Sequence, residues 1–348
     1  MTSRTIFRQA LVALLLATIC PGLSDHLPAQ SEASDTVHVW DQRGETQTQI
    51  RGTIQAYDRN VITILTVSGR EQQVPAARVA RLESRWDRRQ LEADKAFELG
   101  ECERAEALYR QALEHEMRSW ARHRLVVQVA WCQQSAGKWP EAGTTFLKSV
   151  LVSNPETPYF DAIPLAWKTP VAALPMERLG KTWIVDERSE VANLLGASWL
   201  LTSTERELAI GVLRQLAVSD NRQVAFLAET QLWRTQVPTV SDVAIKQWEK
   251  LLSRMPTPLR AGPYHLLGHA LHRTGRSQDG LIAWMRVPLQ YPRHRLLASE
   301  SLLAAARHYQ VAGQREQAAV LYRELASGYP MTIAGQAAQD QLQELTDK

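Results

Sequence analysis

The stretch YHLLGHALHRTGRSQDGLIAWMRVPLQYP, residues 264–292, decides the fold. Tyr264, Leu267, Gly268 and Leu271 fall at the spacing of one helix face. Gly275 follows where that period ends and can take the left-handed conformation that closes a helix. A second apolar face, Gly280, Trp284 and Val287, runs on to Pro292, which stops it. Two antiparallel helices joined by a tight turn are therefore expected. A mid-helix glycine costs about 1 kcal/mol relative to alanine, so Gly268 implies a partner helix in close approach. The unit repeats: Gly275, Gly280, Trp284, Val287 and Pro292 recur 38 residues later as Gly313, Ala318, Tyr322, Leu325 and Pro330, and Ala306 takes the small-residue role of Gly268. Earlier, Gly100, Ala105, Tyr109 and Ala112 recur 37 residues on as Gly137, Ala142, Phe146 and Ser149.

These residues resemble the tetratricopeptide repeat, a helix-turn-helix unit. The resemblance is strongest in the last two copies, the second of which runs through Leu302, Ala305, Ala306 and Tyr309 to Pro330. The copies at 86–155 match in their second helices, while Arg89 and Glu92 stand where the first helix should be apolar, as in a capping repeat. Helices are expected near 188–202, 204–218, 221–235 and 241–254, although their turns lack the family glycine, and a polar helix near 332–346 closes the array. Residues 156–187 interrupt it. Pro158, Pro164, Pro170 and Pro175 forbid a long helix, yet Phe160, Leu165, Trp167, Trp183 and Ile184 are too apolar for a free linker. This segment reads as an ordered cross-over packed on the array or as a divider between two lobes.

Ahead of the helices, the apolar period switches to two between Thr36 and Glu83. Asp41-Gln42-Arg43-Gly44, Asp58-Arg59-Asn60 and Ser68-Gly69-Arg70 are turns separating about five strands, near 36–41, 46–57, 61–67, 71–74 and 78–82. Gly52 within the longest suggests a bend or bulge. Residues 36–84 resemble SH3-like and Sm-like small β barrels. The Sm likeness would imply RNA, but Arg51, Arg59, Arg70, Arg78 and Arg81 are offset by Asp41, Glu45, Asp58, Glu71 and Glu83. The whole chain is near neutral, +3 from 40 basic and 37 acidic residues, so no nucleic-acid partner is expected.

Residues 1–29 read as a secretory signal. Arg4 and Arg8 precede the apolar run Leu11–Ile19, which is far below the ~20 residues of a membrane span and ends at Pro21-Gly22. Cleavage is bracketed between Ser24 and Ala33, leaving no stable transmembrane segment. Cys20 would suit a lipoprotein, but Ile19 before it is not the small residue such processing wants. Export to the periplasm or cell envelope follows, where Cys102 and Cys132 could form one bridge. Cys102 is placed in an interhelical turn and Cys132 within a helix.

The architecture is thus mainly α: a tetratricopeptide-like α-solenoid, 86–155 and 188–348, behind a five-stranded barrel. In the resembled family the exposed side of the first helices lines a concave groove for peptides. That face offers His265, His269, Arg273 and partly His272 on one helix, Glu300, Leu303, Arg307 and Gln310 on the next, and Trp131 in the second repeat. Imidazoles beside arginines suit an anionic partner, a protein or peptide, more so as pH falls. One metal cannot take all three histidines, since His265 and His272 lie about 10.5 Å apart along the axis. His265 with His269 could supply two ligands of an alternative metal-binding protein, although Arg273 and Arg307 disfavour a cation. No HExxH, GxSxG, GxxxxGK[ST] or GxGxxG is present, so neither catalysis nor a cofactor is expected.

Overall fold

The computed structural model describes residues 35–168 and 174–346. The expected signal segment lies outside them. Strands β1 (Asp35–Trp40), β2 (Gln47–Tyr57), β3 (Val61–Thr66), β4 (Glu71–Pro75) and β5 (Val79–Ser84) form one antiparallel sheet in the order β4-β3-β2-β1-β5. Alternate residues Val37, Val39, Ile54, Ile62, Ile64 and Val74 turn to a common core, as period-two burial requires. The irregularity expected at Gly52 falls between Ile54 and Ala56, where the register with β3 shifts. Gly52 itself is a close approach: a side chain there would meet the Leu65 carbonyl at 2.2 Å.

The rest is helical. α1 (Arg88–Glu98), α2 (Cys102–His115), α3 (Ser119–Ser135) and α4 (Trp139–Thr145) come first, the last running through a π-helical turn, Phe146–Val150, into α5 (Leu151–Ser153). After the cross-over come α6 (Leu174–Trp183), α7 (Glu190–Leu200), α8 (Arg206–Leu216), α9 (Arg222–Gln236) and α10 (Asp242–Arg254). α11 (Ala261–Arg273), α12 (Ser277–Gln290), α13 (Arg295–Val311), α14 (Arg315–Gly328) and α15 (Ile333–Thr346) complete the array. Where the family glycine is missing, polar caps define the helix starts. Ser189, Asn221 and Ser241 each accept a backbone N–H from the first turn of α7, α9 and α10.

Successive helices pack as hairpins, and α7, α9, α11, α13 and α15 each also touch the next of this series, the stacking of an α-solenoid. Gly275 and Gly313 close α11 and α13 at φ +84° and +74°. A Cβ on Gly268 would lie 2.4 Å from Trp284 Cδ1, so the indole of α12 occupies the space that a side chain on α11 would need. Trp284, Leu302, Ala305, Ala306, Ala318, Tyr322 and Leu325 form the buried seam of the last two hairpins.

The placement of Cys102 departs from the sequence reading, and two further details extend that reading. The segment 156–187 contains α6, which starts with Leu174 and carries Pro175 in its first turn, where a missing N–H costs nothing. Cys102 opens α2 instead of lying in the turn. Both thiols are buried and unbridged, and burial pushes their pKa values up.

The sheet is fastened to the solenoid by Arg118, just before α3. Its guanidinium contacts Asp35 at 3.3 Å and Glu116 at 2.7 Å, and lies over the Trp86 and Trp120 rings. Asp35 is 1% exposed and also accepts the Ile54 N–H and the Ser84 hydroxyl. Removing one partner of so buried a set would leave a charge without compensation.

Candidate functional site

The concave side of the solenoid is where a peptide would be expected, and the protein's own cross-over lies there. Asn154 Nδ2 donates to the Tyr57 carbonyl, and the Tyr159 ring packs between Tyr57 and His123. Farther along, Trp199 Nε1 of α7 donates to the Pro164 carbonyl at 2.9 Å, and the Ala166 N–H donates to Ser198 Oγ at 2.9 Å. The Trp167 indole fills the space above Gly262 of α11, where a Cβ would come within 2.0 Å of the ring. Lys168 forms a 2.7 Å ion pair with Glu300 of α13. Phe160, Ile163, Leu165 and Ala166 are 2–5% exposed and join the same core as α3, α7, α9 and α11. Burial at this level makes the segment a constituent of the core.

Several residues that the sequence placed on an open groove are buried or committed to contacts within the fold. Trp131 is 1% exposed, its ring edge-on to His294 at 4.5 Å between centroids. Leu303 is buried in the seam of the last hairpins. His265 is 3% exposed and hydrogen-bonds Ser301 Oγ through Nδ1 at 2.8 Å. Burial drives its pKa well below the usual imidazole range. His269, half-buried between His265 and Trp284, is pulled down to about 4 by burial and then by the neighbouring His272. Gln310 is committed to structure, accepting from the Tyr322 hydroxyl and donating to Gln341. Glu300 is spent on Lys168.

Among the described residues, the outer end of the same face stays exposed. His272, Arg273 and Arg307 are exposed, and neither Arg273 nor Arg307 forms a salt bridge among the described residues. His308, half-buried, joins them, its ring 5.2 Å from that of His272. Sequence reasoning missed His308, yet the signal was present. The His265–Ser301 bond spans 36 residues, and the same offset from His272 arrives at His308. Lys168 was missed because only the folded cross-over brings it to α13.

The expected pairing of His265 with His269 does not make a metal centre: the first is enclosed and bonded to Ser301, and no group of three or more ligand side chains among the described residues could hold an ion. Farther in, Asp161 and His294 border a cavity of about 10 Å³ with Leu165, Trp167, Leu227 and Leu259, room for about one water. Burial raises the Asp161 carboxyl to about 6 and lowers His294 to about 3, which keeps both neutral forms accessible in this apolar setting.

The family described as Tetratrico peptide repeat matches residues 91–182. The match runs from α1 through the cross-over into α6, over the copies that look worn by inspection of their first helices. No curated protein and no solved structure matches the chain. Hairpin stacking and the family match agree on a helical-repeat solenoid, an architecture used for protein–protein interaction.

Proposed function

We propose that this protein is an exported, non-enzymatic scaffold that docks an anionic segment of a protein partner on the outer end of its concave face, across α11 and α13. The observation that carries this reading is the pair of exposed arginines, Arg273 and Arg307, which among the described residues have no salt-bridge partner, on the same helices α11 and α13 that the cross-over meets at Gly262 and Glu300. Residues 154–168 fill the inner trough, which directs an incoming chain toward the outer end of this face. Guanidinium groups offer paired donors to carboxylates, and the exposed His272 lies beside them on the same face. Arg4, Arg8 and the apolar run Leu11–Ile19 support export, and the Tyr-Pro endings at 291–292 and 329–330 resemble repeat proteins of the bacterial periplasm, which supports work at the cell envelope.

Fluorescence anisotropy with labelled acidic, neutral and basic peptides tests the docking. The acidic peptide alone should bind, with affinity falling as salt rises and about tenfold or more in an Arg273→Ala, Arg307→Ala double variant. Equal binding by wild type and variant removes this face from consideration. Export is tested separately by fractionating the producing cell and sequencing the mature N-terminus.

A further inference from the structure

The small cavity behind the cross-over lies at a joint of three segments. The turn Phe160–Ala162 of the cross-over packs there against the turn Thr257–Arg260 ahead of α11, and His294, ahead of α13, completes the border. Leu165, Trp167, Leu227 and Leu259 wall the space, and Asp161 and His294 are the ionisable side chains on it. Among the described residues, the Asp161 carboxyl takes a hydrogen bond only from its own backbone N–H. His294 Nε2 is buried and has no hydrogen-bond partner among them. Native folds seldom leave such an atom unpaired.

We propose that this cavity is a binding site for one ordered water, which bridges the Asp161 carboxyl and His294 Nε2 and so pins the cross-over to the entry of α13. The volume of about 10 Å³ matches a single water and excludes anything larger. A buried water needs at least two polar partners, and these two side chains supply them. Its chemistry suits both: water donates to a carboxylate or accepts from a carboxylic acid, and does either to a neutral imidazole, so the bridge holds in both forms of Asp161. The imidazole is held in place beforehand. Its ring stands edge-on to Trp131 at 4.5 Å, and the His294 backbone N–H donates to the Tyr291 carbonyl at 3.0 Å. The site lies apart from the docking face at the outer end of α11 and α13 and stands whether or not a peptide docks there.

High-resolution crystal structures of the mature chain and of its Asp161→Leu and Asp161→Asn variants test the assignment. Wild type should show one fully occupied water within hydrogen-bond distance of both Asp161 and His294 Nε2. Asp161→Leu removes one polar partner and extends apolar surface into the space, so its cavity should be dry. Asp161→Asn keeps a donor and an acceptor at the same place and should retain the water. Because wild type and the near-isosteric asparagine variant carry the test by themselves, failure of the leucine variant to fold does not remove it. A dry cavity in wild type, a water that leaves His294 Nε2 unpaired, or a water that stays in a folded Asp161→Leu variant overturns the proposal.

Discussion

Arg295, in the first turn of α13, donates from Nη1 to the carbonyl of Glu98 at 2.9 Å, although 197 residues separate them. Its Nη2 donates to the Gly328 carbonyl at 2.8 Å, and the guanidinium lies over the Tyr329 ring. Both carbonyls belong to helix C-termini, whose last oxygens lack partners within the helix. One side chain thus ties the first hairpin to the last and closes the solenoid on itself. With Arg295 only 8% exposed, Arg295→Ala should lower unfolding stability by about 2–4 kcal/mol. Arg295→Lys should recover part of the loss, since an ammonium cannot span both carbonyls and cover the ring equally well. Urea unfolding of the three proteins measures this, and an unchanged midpoint in the alanine variant would refute the closure.

Two glycines should respond with opposite signs to the same substitution. Gly268→Ala must displace the Trp284 indole and should cost about 1–3 kcal/mol. Gly211→Ala, on the exposed side of α8 with nothing within 4 Å of the new methyl group, should gain about 0.5–1 kcal/mol. Thermal melts of both variants provide the comparison, and a loss at Gly211 or a gain at Gly268 would contradict the packing.

Acid should weaken the fold. His123 is 5% exposed, hydrogen-bonded to Ser153 and Thr157, and lowered to about 4 by burial. His265 and His294 are lowered as well. A histidine depressed in the folded state binds its proton first in the unfolded chain, so its stability contribution is present above about pH 6.5 and is lost as pH falls toward the folded value. For His123 this amounts to on the order of 2 kcal/mol by pH 5. Asp161, raised to about 6, acts in the opposite direction, its contribution being lost as pH rises through that value. The histidines outnumber it, so the urea midpoint should drop between about pH 7 and pH 5, with a shallower drop in His123→Gln. A midpoint that rises on acidification would oppose this assignment.

The hairpins were legible because their signals are local. Gly275 and Gly313 mark the turns, Trp284 and Tyr322 the seams, and the helices between 188 and 254 fall within a few residues of expectation. Face assignments failed where a helix is enclosed on several sides. In α3, eleven of the 17 residues are buried, against the sheet, the neighbouring helices, the cross-over and His294, so its sequence has no preferred side and Trp131 could not be oriented from periodicity. The closure by Arg295 and the filling of the trough by residues 154–168 depend on partners distant in the chain, which no spacing rule reaches. Of the proposed docking face, Arg273 and Arg307 were readable from helical register alone, whereas the burial of His265 and Leu303 required knowing what packs above them.

Hydrogen exchange on the segment from Asn154 to Lys168 tests most directly whether the protein fills its own trough. The Leu165 amide, donated to the Ile163 carbonyl, and the Ala166 amide, donated to Ser198, should exchange as slowly as those in the middle of α7. An added acidic peptide should protect α11 and α13 and leave this segment unchanged. Rapid exchange at Leu165 and Ala166, or new protection there when the peptide binds, would show an open groove and contradict the account.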